Sequence, residues 1–123
     1  MRWAAITWIG TSLMAPGALA QAQPAQDAAI RDDLRCLAVL AVLAQSPEQT
    51  LPGMLGGAYY LGRLESRMTE EELAKRVVAE ARTMTQADAQ TTMNRCAADL
   101  QASGQRLQDL GDKVQEPPAA TTP

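Results

Sequence analysis

The chain has 123 residues, with 14 acids against 11 bases, two cysteines, four aromatics and no histidine. One domain is the ceiling at this length, and the missing histidine excludes Ser–His and Cys–His catalytic pairs, imidazole metal ligands and a His-based pH switch. A net charge of −3 speaks against nucleic acid as a partner, because phosphate binding needs a basic surface.

The N-terminal residues read as an address. Arg2 is a short positive region, and Trp3 to Met14 is largely apolar and uncharged. Pro16-Gly17 breaks that run, and Ala18-Leu19-Ala20 places small residues at −3 and −1 of a cleavage site after Ala20. This order predicts a secretory signal peptide over residues 1–20. Roughly a dozen apolar residues are too few to span a ~30 Å hydrocarbon core, so no membrane span is expected after cleavage. Loss of Arg2 leaves ten bases against 14 acids in the mature chain, a net of −4. Both tryptophans go too, and Tyr59 and Tyr60 remain as its aromatics.

Residues 21–26 (QAQPAQ) form a polar, Ala-rich leader, expected to be mobile. A helical domain is predicted over 27–115. Ile30, Leu34, Leu37 and Ala41 recur at helical spacing, flanked by Cys36, Leu40 and Leu43. The run Cys36–Ala44 is apolar all round, which predicts the most buried helix of the set. Ser46-Pro47 closes it, because the residue before proline avoids the α region.

Residues 50–67 carry Gly53, Gly56, Gly57 and Gly62. Each glycine inside a helix costs up to about 1 kcal/mol relative to alanine. Close approach of a neighbouring helix would account for them, with Gly53–Gly57 helical; a loop over Gly53–Gly57 is the alternative. Tyr59–Glu65 is predicted helical on either reading.

Thr69–Met84 is the clearest helix. Thr69 and Glu72 have capping-box spacing, and Glu70, Glu71 and Glu72 meet the positive end of the helix dipole. Glu71–Lys75 and Glu72–Arg76 are i,i+4 pairs in the favoured order. Leu73, Val77, Ala81 and Met84 form its apolar stripe. A further start signal lies at Thr85 with Asp88, and Ala89, Met93, Cys96, Ala97 and Leu100 then share a face. Gly104 either ends or interrupts this helix. Leu100, Ser103, Leu107, Leu110 and Val114 continue with heptad-like spacing to about Gln115. The tail 116–123 is rich in Pro, Ala and Thr and is expected to be disordered.

The expected architecture is all-α, a small bundle of four or five helices with one disulfide. In an exported protein, Cys36 and Cys96 are expected to pair. That bond closes a loop of about 60 residues and is worth roughly 4 kcal/mol by chain entropy. No C-x-x-C, phosphate loop, EF-hand, haem or zinc pattern is present. No enzyme activity, metal or cofactor is therefore predicted. The candidate interaction residues are Tyr59, Tyr60, Arg63 and Arg67, since Tyr and Arg are enriched at binding hot spots. Packing of the tyrosines in an aromatic-poor core competes with that reading.

Arg35-Cys36, the segment YYLGRLESR (59–67) and Arg95-Cys96 resemble a pattern of uncharacterised small exported bacterial helical proteins. More distantly the layout is similar to periplasmic acid-stress chaperones of the HdeA/HdeB type. That resemblance implies an all-helical protein with one disulfide and an aromatic- and glycine-bearing helix between the cysteines. The expected function is protein–protein contact in the periplasm or outside the cell, with an unknown protein partner and oligomeric state. An acid-stress holdase and an envelope inhibitor or immunity-type binder are the alternatives.

Overall fold

The computed structural model describes residues 17–119, with side chains from Ala22 onward. Residues 1–16, most of the predicted signal peptide, and residues 120–123 of the tail lie outside the described residues. Four helices and no strand make up the described chain: α1 (Gly17–Leu43), α2 (Thr50–Glu65), α3 (Glu70–Thr83) and α4 (Gln86–Gln115). The all-α bundle with one disulfide is what the sequence predicts.

α1 is the central element and packs against each of the other three. Two apolar clusters lie along it. One joins Leu34 to Leu64 of α2 and Leu73 of α3. The other joins Cys36 and Leu40 to Tyr60 of α2 and Cys96 of α4. Leu37 packs against both. The Cys36–Cys96 disulfide forms across a Cα–Cα distance of 5.7 Å and ties α1 to α4.

Two expectations for α1 need correction. The helix does not begin at Asp27 but runs back through the leader to Gly17. Ala and Gln favour helix on propensity alone, and the side chains of 22–26 are all exposed. The apolar run is also not buried all round. Ala38, Val39 and Leu40 are buried, whereas Ala41 is exposed and Val42 is 71% exposed. Three neighbouring helices do not enclose the whole circumference of a fourth.

The glycine-rich segment is helix throughout. A Cβ on Gly53 would lie 2.5 Å from the Ala44 backbone nitrogen, and one on Gly56 would lie 2.9 Å from Leu100 Cδ1. Close approach therefore accounts for Gly53 and Gly56, while Gly57 and Gly62 face open space.

Thr69 caps α3 by accepting from the Glu72 N–H at 3.3 Å. The Glu72 carboxylate turns to Arg76, at 3.5 Å. The reciprocal capping box closes instead at Thr85 and Asp88, at the start of α4. α4 passes through Gly104 without a break, and residues 116–119 beyond it are non-helical and exposed.

Candidate functional site

Three of the four candidate interaction residues turn inward into one network. Tyr60 is buried at 1% exposure. Its hydroxyl donates to Asp99 Oδ2 at 2.9 Å. Burial first, and the Asp99 carboxylate second, push its ionisation well above the ordinary tyrosine value, so it stays a donor. Arg63 NH1 donates to Asp99 Oδ2 and to the Tyr59 hydroxyl, each at 3.1 Å. Ser103 Oγ donates to the same Tyr59 hydroxyl at 2.9 Å. The two rings meet edge-to-face at 5.0 Å, and the Arg63 guanidinium lies 5.4 Å from one ring centre and 5.7 Å from the other. Arg67 alone of the four is exposed.

Asp33 completes this cluster from α1. Its side chain is 7% exposed, and Oδ2 lies 3.2 Å from Arg63 Nε. That oxygen accepts no hydrogen bond of good geometry. Burial pushes the Asp33 carboxyl above its ordinary value, with Arg63 and Arg67 pulling only partly the other way. Burial also works against the charged form of Arg63, but the Tyr59 hydroxyl and the two carboxylates outweigh it and hold Arg63 charged.

Sequence reasoning picked out the tyrosines and arginines but not Asp33 and Asp99, their acidic partners. A signal existed for Asp99, which follows the buried Cys96 by three residues on α4. Asp33 gave a fainter one, as an acid one helical turn before Leu37.

The arginine preceding each cysteine also has a defined place. Arg35 Nε pairs with Glu80 at 2.9 Å, joining α1 to α3. Arg95 NH1 pairs with Asp32 at 2.8 Å, and its NH2 donates to the Asp32 carbonyl at 2.9 Å, joining α4 to α1. These residues brace the bundle. Among the described residues no group of three or more Cys, Asp and Glu is placed to hold a metal, and no helix is long and apolar enough to cross a membrane.

The surface with unspent contact capacity lies elsewhere. The outward side of α2 presents Leu51, Met54 and Leu55, exposed by 67%, 60% and 65%. Beyond Leu100, α4 presents Leu107, Leu110 and Val114, exposed by 71%, 58% and 84%. Between the two helices runs a groove of about 630 Å³, with Leu55 and Tyr59 on one wall and Leu100, Gly104 and Leu107 on the other. The sequence showed the heptad-like stripe of α4 but not that half of it goes uncovered.

No known family, characterised protein or solved structure matches the chain.

Proposed function

We propose that this is a small exported, non-enzymatic protein that acts in the periplasm or outside the cell by contact with other protein chains. The observation that carries the contact reading is the apolar α2–α4 face. Soluble monomers rarely expose contiguous apolar patches beyond a few hundred Å². Leu51, Met54, Leu55, Leu107, Leu110 and Val114 each expose more than half of their surface. The Tyr–Arg–Asp cluster, by contrast, makes its hydrogen bonds and ion pairs inside the fold.

Two features support export. The buried Cys36–Cys96 pair is disulfide-bonded, which suits an oxidising compartment. Pro24 lies inside α1 as it stands. After cleavage at Ala20 it would fall in the first turn, where a missing N–H costs nothing. Expression in a bacterial host and intact-mass measurement of the exported fraction test this. A chain beginning at Gln21 with no free thiol is expected; an unprocessed chain retained inside the cell overturns it. A photocrosslinker at position 55 should give discrete protein adducts in the envelope. A folded protein that yields none refutes the contact reading.

A second reading, an acid-stress holdase, rests on one specific observation. Helix–helix joints carry Arg–carboxylate pairs: Arg35–Glu80, Arg63–Asp99 and Arg95–Asp32. In strong acid carboxylates as a class lose their charge, which would remove the acidic side of such joints and leave a strongly cationic chain. Circular dichroism from pH 7 to 2 with a client-aggregation assay tests it. An unchanged spectrum at pH 2, or no protection of clients, excludes it.

A further inference from the structure

We infer that the apolar α2–α4 face is the contact between two copies of this chain, each copy's α4 extension lying antiparallel in the groove of the other. This rests on the contact reading above and names the partner.

Four observations carry it. The first is self-complementarity. One surface holds both an open groove between α2 and α4 that ends at Leu107 and, directly beyond it, the continuation of the same helical stripe at Leu110 and Val114, unpartnered in the fold. A twofold axis beside α4 puts each stripe into the other copy's groove, so both features are covered by one operation. The result is a layer of four helices, α2 and α4 from each copy.

The second is spacing. Leu100, Ser103, Leu107, Leu110 and Val114 alternate by three and four residues, which is the repeat that keeps one helix facing another. Gly104 and Gly111 stand seven residues apart at one edge of this stripe. Among the described residues, nothing apart from the adjoining stretch of α4 itself lies within 4 Å of where their Cβ atoms would be. Nothing within the fold offsets the roughly 1 kcal/mol that each glycine costs a helix. A second helix axis drawn close to α4 does offset it.

The third is charge. Residues 100–115 carry Arg106 and Lys113 against Asp109 and Asp112, a net of zero in an acidic chain. Leu51, Met54, Leu55, Ala58, Leu61 and Gly62, on the outward side of α2, carry none. Two like copies meet there without repulsion, and antiparallel α4 helices also oppose their dipoles favourably. A partner of strong single-sign charge finds no net charge there to attract it.

The fourth is area. At on the order of 100 Å² for each exposed side chain, the six large residues and the groove floor approach the ~800 Å² per partner of a specific interface.

Sedimentation equilibrium of the protein purified from the exported fraction, disulfide intact, tests the proposal. Between about 1 and about 200 μM, the range in which a standard-size apolar contact saturates, the mass should rise from one chain to two. Leu107→Asp with Leu110→Asp should raise the dissociation constant at least ~100-fold. Both residues are mostly exposed, so far-UV circular dichroism of the dilute variant should not change. Gly104→Leu should weaken association by ~10-fold or more without unfolding α4. A photocrosslinker at position 114 should attach to α2 or α4 of a second copy. A wild type that stays one chain across the whole range overturns the proposal. So does a monomer that floats with phospholipid vesicles, which would make the face a membrane contact. A monomer that still gives envelope adducts from position 55 defeats the self-association and leaves the contact reading standing. No adducts of any kind defeat both.

Discussion

The two halves of α4 have the same amphipathic period and opposite fates. In the first half Thr92 and Cys96 are buried and Asp99 is engaged by α2. In the second half Leu107, Leu110 and Val114 stand in water. The difference is the supply of neighbours. α1 and α2 pack against α4 as far as Leu100 and Ser103, and past that level α2 borders only the open groove at Gly104 and Leu107. A hydrophobic stripe therefore states that a helix wants a partner, while the fold decides whether its own chain provides one. The lesson extends to α2, whose inner face holds Tyr60 and Leu64 at 1% and 0% exposure while its outer face keeps Leu51 and Leu55 uncovered.

The largest expected effect falls on the stapled half. Replacing Cys36 and Cys96 by alanine removes a cross-link between positions 60 residues apart. Chain entropy assigns such a loop roughly 4 kcal/mol, a large part of the stability of a domain this size. Urea unfolding should show a midpoint far below that of the wild type. A stability loss of under about 1 kcal/mol would mean that packing rather than the staple holds α4 against α1.

Next come the glycines of α2, which sharpen the contrast between its faces. Gly53→Ala puts a Cβ against the Ala44 backbone, which cannot step aside. A loss of about 1–3 kcal/mol is expected from overpacking. Gly57→Ala meets nothing and should gain up to about 1 kcal/mol from helix propensity. Thermal melts of the two variants should move in opposite directions; parallel shifts would contradict the close crossing of α1 and α2.

Which parts of this were legible in the sequence follows from how local each signal is. Thr69, Thr85 and Ser46-Pro47 mark helix ends through groups a few residues apart, and the structure uses all of them. The disulfide was legible because two cysteines leave one internal pairing. The glycines of α2 were ambiguous because a loop and a close crossing ask for the same residue. Asp33 with Asp99 could not be paired with Arg63 in advance, since positions 33, 63 and 99 come together only once α1, α2 and α4 are placed. The boundary between the covered and uncovered halves of α4 is likewise a property of neighbouring lengths, invisible in α4 itself.

The pH dependence separates the buried network from the exposed caps. Asp33 has its folded-state value raised by burial. Its contribution to stability is therefore fully present below the unfolded value near 3.8 and is lost as pH rises through the raised folded value. Asp88 runs the other way. The Thr85 backbone and hydroxyl donors lower its value, so its contribution is present at neutral pH and lost as pH falls through that lowered value. Asp33→Asn removes the first component only. The stability difference, wild type minus variant, should thus favour the wild type more at pH about 3.5 than at pH 7. A difference independent of pH would show that Asp33 is solvated rather than buried. Under the holdase reading Asp33 resists acid loosening, and the outer pairs such as Arg35–Glu80 and Arg95–Asp32 must drive it.

The smallest stability effect is expected at the far end of α4, and its smallness is the point. Deleting residues 106–123 removes Leu107, Leu110 and Val114, which are mostly exposed, and one hydrogen bond from Arg106 to Ser103 at 2.7 Å. Surface groups of this kind contribute little to a fold. Measured in urea at high dilution, where each chain stands alone, the truncation should cost less than about 1 kcal/mol. The same deletion should abolish association at high concentration. A cost of several kcal/mol in the dilute chain would mean that the extension is held by its own bundle in solution. The two halves of α4 would then be alike, and the groove would have an occupant from within. A small cost together with loss of the dimer would place the energy of the extension between chains, where the unpartnered stripe points.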